Sequence, residues 1–217
     1  MDSKFFQYII YTMCIGFFIH YFSNKKTENF YILNKKQLLF KKTLEDMAYI
    51  LNKNNIPFFL MFGTALGAHR EKKFIEHDHD IDIWLYTSNF NKLPKILNNI
   101  TNVFILNKIY PNNKNPSEYT FTHKATNIQI DLFNIYCNNK DNMCTSYTYQ
   151  GICNDKKEKK CIFKYPINLQ NINFLGKNYN IPKINFLEFF YGHDWNIPKK
   201  FDYFQGLKQN LYKCLIN

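Results

Sequence analysis

Glycine and proline are scarce in this chain, at seven each among 217 residues. Collagen-like and Pro/Gly-rich low-complexity architectures are thereby excluded. Arginine is scarcer still: of 28 basic residues only Arg70 is an arginine. The six cysteines are too few for a disulfide-built scaffold of this length. No two of them stand at the Cys-x-x-Cys spacing of a zinc knuckle. There is no internal repeat and no recognisable nucleic-acid-binding motif. The net charge of +11 comes from lysines scattered along an Asn- and Ile-rich chain, the style of an AT-rich genome. That pattern argues against a nucleic-acid partner. It is compatible with drawing anionic phosphates to a cleft or to a membrane surface.

What is present is apolar. Hydrophobic residues make up 46% of the chain, with 22 Phe and 16 Tyr. Such a chain buries a real core, which excludes disorder for its bulk. Its length suits one domain with a short appendage. The appendage lies at the N-terminus, where residues 5–22 read FFQYIIYTMCIGFFIHYF without one Asp, Glu, Lys or Arg. That run is close to the ~20 residues that span a bilayer. No small-x-small cleavage site follows it, so the expectation is an uncleaved anchor over residues 1–23 rather than a signal peptide. A buried core helix is the competing reading. A linker over 24–34 then leads to a catalytic domain over 35–217. Lys25, Lys26, Lys35 and Lys36 follow the run, which by charge favours a cytoplasmic domain. The downstream cysteines and the Asn99-Ile100-Thr101 sequon weigh weakly toward a lumenal one.

Phe40, Leu44, Met47, Ala48 and Leu51 recur at helical spacing, ending before Pro57. Residues 57–62 (PFFLMF) predict a buried strand. Gly63-Thr64 follows at once, a place for a sharp turn and for a helix start whose free N–H groups face an anion. A polar loop over 72–79 leads to a strand over 80–86, in which Asp80 and Asp82 share one face and Ile81 and Ile83 the other. Asp78 extends the acidic face. A helix is expected over 90–100, with strands over 103–109, 118–123 and 128–136. The last carries Asp131 among apolar neighbours. Residues 137–161 form a polar, lysine-rich insertion holding Cys137, Cys144, Cys153 and Cys161. Disulfides within it are favoured over zinc, with the pairing open. A hairpin around Gly176-Lys177, a helix over 184–191 and a closing helix over 203–215 complete the chain.

Two carboxylates side by side on one strand face repel each other, and a divalent cation resolves the repulsion. Oxygen donors of this kind suit Mg²⁺ or Mn²⁺, which also bind substrate phosphates. Asp131 is a third ligand or the base that accepts an acceptor's proton. Gly63, Thr64 and Arg70 are placed to hold phosphate. A bare Asp-x-Asp facing solvent at a sheet edge is the bland alternative; the preceding Gly-Thr turn and the later strand Asp weigh against it. Weaker candidates are Trp195 and Tyr191 for stacking, His123 and His193 on the acceptor side, and Lys124 as a phosphate contact.

The segment FGTALGAHREKKFIEHDHDIDI resembles the signature of the LicD family, which includes fukutin and fukutin-related protein. Gly63, Thr64, Leu66, Gly67, Arg70, Ile75, Asp78, Asp80, Ile81 and Asp82 carry the match. Ile130-Asp131-Leu132-Phe133 resembles a later strand motif, and Tyr191-Gly192-His193-Asp194-Trp195-Asn196-Ile197-Pro198 a closing one. His77 and His79 depart from residues often aromatic and acidic in the family. The resemblance implies an α/β (α+β) nucleotidyltransferase-like fold, a mixed sheet flanked by helices. It also implies metal-dependent transfer of a phosphate-linked group, such as phosphocholine or ribitol phosphate, from a CDP-linked donor to a sugar hydroxyl of a glycan or glycoprotein acceptor. CMP leaves. Catalytic and metal roles fall to Asp80, Asp82 and Asp131, and substrate binding to Gly63, Thr64, Arg70 and Asp78. The implied location is a single-pass, type II protein facing the ER or Golgi lumen, against the charge count. A nucleotidyltransferase moving a nucleoside monophosphate and a non-catalytic glycan-binding accessory protein are the alternatives.

Overall fold

The computed structural model describes residues 33–138, 143–148, 161–199 and 213–214. The chain divides into two units, Met1–Asn34 and Lys35–Asn217, and every element below belongs to the second. The expected anchor over 1–23 lies outside the described residues, as does the linker up to residue 32. Among the described residues, no helix is long and apolar enough to cross a membrane.

Helix α1 (Lys35–Lys53) buries Phe40, Leu44, Met47, Ala48 and Leu51 along one face, as their spacing requires. It stops where Asn55 turns left-handed (φ 51°) and the Ile56 N–H returns to the Leu51 carbonyl at 2.9 Å. The strand expected over 57–62 shrinks to β1 (Phe59–Leu60), because Phe62 already opens helix α2 (Phe62–Arg70). Strand β2 (Asp80–Tyr86) has the expected bounds. The helix expected over 90–100 is two: α3 (Thr87–Phe90) and α4 (Leu93–Val103), with Pro94 in the first turn of the latter, where its missing N–H costs nothing. Then come β3 (Phe104–Tyr110), β4 (Glu118–His123) and β5 (Gln129–Asn138).

The insertion is less separate than its polarity suggests. It contributes β6 (Met143–Thr148) and leads into β7 (Cys161–Tyr165), both paired into the main sheet. Cys137 and Cys144 face each other across β5 and β6 and form a disulfide. Cys153 lies outside the described residues. The hairpin of β8 (Leu169–Phe174) and β9 (Lys177–Pro182) turns at Gly176, whose φ of 88° suits only glycine. Helix α5 (Ile184–Tyr191) ends at Gly192. Of the closing helix expected over 203–215, all but Lys213–Cys214 lies outside the described residues; those two form β10, antiparallel to β7. It pairs with Cys161 and Ile162 at the start of β7.

Strand β5 is the axis of the main sheet. Strand β2 runs parallel along one flank, and β1 pairs antiparallel beyond it. The other flank is shared: β4 pairs along 129–133, and β6 along 135–138. Strand β3 lies outside β4. This is a mixed sheet flanked by helices. Alternation splits β2 and β5 between two cores. Ile81, Ile83, Leu85, Ile130 and Leu132 pack under α1 and α4. Trp84, Phe133 and Ile135 pack with Phe186, Leu187 and Phe190 of α5. Each such fully buried side chain contributes roughly 1.5–3 kcal/mol. The acidic residues occupy the start of the second face, where that apolar packing stops.

Candidate active site

Asp82 and Asp131 are direct partners across the parallel β2–β5 pair, with Asp80 one strand repeat before. Carboxylate oxygens of Asp80, Asp82 and Asp131 lie within 4.8 Å of one another. The Asp82 backbone is held on both sides. Its N–H donates to the Thr64 hydroxyl at 2.9 Å, and its carbonyl accepts the Met61 N–H at 3.1 Å. Asp131 Oδ2 accepts from Gln129 Nε2 at 2.9 Å, whereas its buried Oδ1 has no hydrogen-bond partner among the described residues. A buried carboxylate oxygen left bare at the meeting point of two further carboxylates fits a hard cation.

The electrostatics agree. Burial raises Asp131 to about 7, helped by the Asp80 charge, and the Gln129 hydrogen bond opposes the shift. Burial also pushes Asp82 well above the usual carboxylate range, with Asp80, Asp78, Asp131 and Glu118 adding repulsion. Asp78 rises to about 7 through burial and the charge and hydrogen bond of Asp80. Burial and mutual repulsion thus disfavour the charged forms of these carboxylates, and a cation would relieve both.

The turn before α2 is built differently from the sequence expectation. The left-handed residue is Phe62 (φ 45°), not Gly63. A bulky side chain in that region is strained, and it is clamped by rings on three sides: Trp84 at 5.0 Å, Phe190 at 5.0 Å and Phe133 at 5.8 Å. Gly63 is needed for a different reason, since a Cβ there would collide with the Asp78 carboxylate. Asp78 thus packs against the start of α2, where sequence reasoning placed donor phosphate. Thr64 is buried and its hydroxyl is occupied by the Asp82 N–H, so it serves the strand rather than the cleft.

Arg70 departs most from expectation. Its side chain is 8% exposed; the guanidinium donates to Glu71 Oε1 at 2.6 Å from Nη2 and to the Trp195 carbonyl at 3.2 Å from Nη1. It ties the Tyr191–Trp195 segment to α2 and is absent from the cleft lining among the described residues. The α2 register turns it away from the helix start, and a fork of donors is better satisfied by those two acceptors. Lys124 donates to the Thr101 and Asn102 carbonyls at the end of α4, not to the cleft. His123 is buried: its Nδ1 accepts the Thr126 N–H, and its Nε2 meets Asp46 at 2.8 Å. His193 is exposed. Trp195 packs edge-on to His69, and Tyr191 lines the cleft. Burial and the Asp82 and Asp78 charges push the Tyr191 phenol well above its ordinary value.

The cleft itself has a volume of about 800 Å³. Gly63, Asp78, Asp80, Asp82 and Asp131 line it, with Phe62, Phe133 and Phe190 forming an aromatic wall. Sequence reasoning missed Glu118 and Lys108, which also line it. Burial raises Glu118 to about 7, with the Asp131 charge adding to the shift. Glu118-x-Thr120 at a strand start repeats the alternation of Asp80-x-Asp82, a signal that was available. Thr120 lies directly opposite Asp131 and donates to Glu118 Oε1 at 3.2 Å.

Residues 55–184 match the family model of the LicD/FKTN/FKRP nucleotidyltransferase domain. The chain belongs to the LicD family. Among curated relatives it is 26% identical over 163 residues to the ribitol-5-phosphate transferase FKTN of Macaca fascicularis, and equally to that of Homo sapiens. The match covers 74% of this chain but 34% of those proteins, so the chain spans about a third of their length. An uncharacterized protein of Rickettsia prowazekii (strain Madrid E), RP689, is 33% identical over 75 residues, covering 35% of this chain and 28% of that protein. Among solved structures, the crystal structure of ANT(2")-Ia with adenylyl-2"-tobramycin aligns with a TM-score of 0.41 at 10% identity, over 74% of this chain and 80% of that one. A likeness of that size says nothing of function.

Proposed function

We propose that this LicD domain transfers a phosphate-linked group, of the ribitol-phosphate or phosphocholine type, from a CDP-linked donor to a sugar hydroxyl, releasing CMP. The observation that carries the reading is the convergence of Asp80, Asp82 and Asp131 around Asp131 Oδ1, which has no hydrogen-bond partner among the described residues. These three would hold Mg²⁺ or Mn²⁺, which would neutralise charge on the donor phosphates. The acceptor oxygen bonds to the phosphorus of the transferred group. The bond from that phosphorus to the bridging oxygen breaks, and the electron pair leaves with CMP. With Asp131 committed to the trio, Glu118 is the cleft carboxylate that takes the acceptor's proton. Phe62, Phe133 and Phe190 exclude water from one side. The Cys137–Cys144 disulfide favours an oxidising compartment and so the lumenal orientation.

The test uses the full chain with Mn²⁺ or Mg²⁺ and a panel of CDP-linked donors, following CMP release with mixed glycan acceptors and with Asp82→Ala as control. Metal-dependent CMP release that disappears in the variant is expected. Pyrophosphate release from a nucleoside triphosphate, with no CMP from any CDP donor, would replace this reading by nucleotidyl transfer.

A further inference from the structure

Five carboxylates line the cleft, and a donor would bring phosphate charge into their midst. A single divalent cation leaves that site short of positive charge. Sequence reasoning assigned the remedy to Arg70, which is engaged elsewhere. Among the described residues lining the cleft, Lys108 is the one lysine or arginine.

Its presence there depends on an irregularity. Strand β3 pairs Leu106 with Phe121 and then Lys108 with Thr120, so one extra residue, Asn107, is inserted between two consecutive partners. In an uninterrupted ladder Lys108 would fall opposite Tyr119, on the face buried under α1 and α4. The bulge turns it over, since a shift of one residue moves a side chain to the other face. Lys108, Thr120, Asp131 and Asp82 consequently stand in one row across four strands, on one face. At about 4.8 Å per strand, the Lys108 backbone lies roughly 10 Å from that of Asp131. The flexible four-carbon stem of a lysine lets its ammonium swing toward the trio from there. The ammonium now rests 3.9 Å from the centre of the Tyr110 ring, a contact that a phosphate oxygen outcompetes.

We infer that Lys108, delivered by the β3 bulge, is the donor-phosphate ligand of this site, gripping the diphosphate from the side opposite the Asp80–Asp82–Asp131 trio. This rests on the phosphate-transfer reading above but not on the identity of the transferred group. It is also independent of the nucleoside, so inorganic pyrophosphate is a sufficient ligand to test it.

The experiment titrates Mn²⁺ first, then pyrophosphate and CDP into the Mn²⁺-loaded full chain, by calorimetry. Wild type, Lys108→Ala, Lys108→Arg and the helix-capping control Lys124→Ala are compared. Lys108→Ala is expected to weaken both ligands about tenfold or more, the scale of one charge-assisted phosphate contact, with Mn²⁺ uptake unchanged. Lys108→Arg should recover most of the loss, and Lys124→Ala should lose none. Equal binding by Lys108→Ala and wild type overturns the assignment, as does equal loss in Lys124→Ala or a wild type that takes up no pyrophosphate. Lys108-dependent pyrophosphate binding without CMP release from any CDP donor would leave Lys108 in place and reject the donor assignment alone.

Discussion

The Thr64 hydroxyl accepts the backbone N–H of Asp82 at 2.9 Å, which joins the first turn of α2 to the strand that carries the acidic pair. A threonine in a phosphate-loop position is thus spent on aligning a carboxylate. Thr64→Val keeps the shape and removes the acceptor, stranding a buried N–H. We expect it to cost about 1–2 kcal/mol of unfolding free energy and to weaken Mn²⁺ binding, whereas Thr64→Ser should retain both. Chemical denaturation and metal titration of the two variants check this.

Glu118 separates metal binding from proton transfer. It lines the cleft outside the converging trio. Glu118→Gln should bind Mn²⁺ as wild type does, yet lower kcat for CMP release by about 10²-fold or more, the usual scale of general-base loss. A kcat close to wild type would remove Glu118 from the mechanism.

Arg70 predicts a stability defect rather than a binding defect. Arg70→Ala frees the Trp195 carbonyl and the Glu71 carboxylate at a largely buried site. We expect a loss of about 1–3 kcal/mol in denaturation with Mn²⁺ and pyrophosphate affinities unchanged. A selective loss of pyrophosphate binding would return Arg70 to the phosphate role.

The acidic cluster also sets a pH dependence. Asp78 and Asp131 stand at about 7 in the fold against an ordinary 3.8, and Glu118 at about 7 against 4.5. Between those values the folded chain binds more protons than the unfolded one, so stability falls as pH rises from about 4 to about 7. Chelator-treated protein should therefore melt at a lower temperature at pH 8 than at pH 5. Added Mn²⁺ should restore the melting temperature at pH 8 and change little at pH 5. Thermal scans with and without the ion give the answer.

The alternation DIDI made β2 and its acidic face readable from the chain, and the helical spacing of Phe40, Leu44 and Leu51 did the same for α1. Asp131 was readable because a lone carboxylate in an apolar strand demands a partner. Other features arise only from tertiary contact. Nothing local to Phe62 says that three rings will hold it in a strained turn, and nothing local to Arg70 says that Trp195 will claim its guanidinium. The insertion read as polar loop because its strand residues, Met143–Thr148, carry little apolar signal and owe their pairing to β5. Lys108 was invisible for a sharper reason: its direction depends on a one-residue slip that no periodicity records.

That slip sits on a strand whose only pairing among the described residues is with β4, while β2 is locked between β1 and β5. A residue gained or lost in β3 disturbs one ladder; the same change in β2 disturbs two and swaps acid for isoleucine. The fold therefore separates a part that cannot drift from a part that can. An insertion or deletion in the outer strand would swing Lys108 off its face while Asp80, Asp82 and Asp131 keep their register.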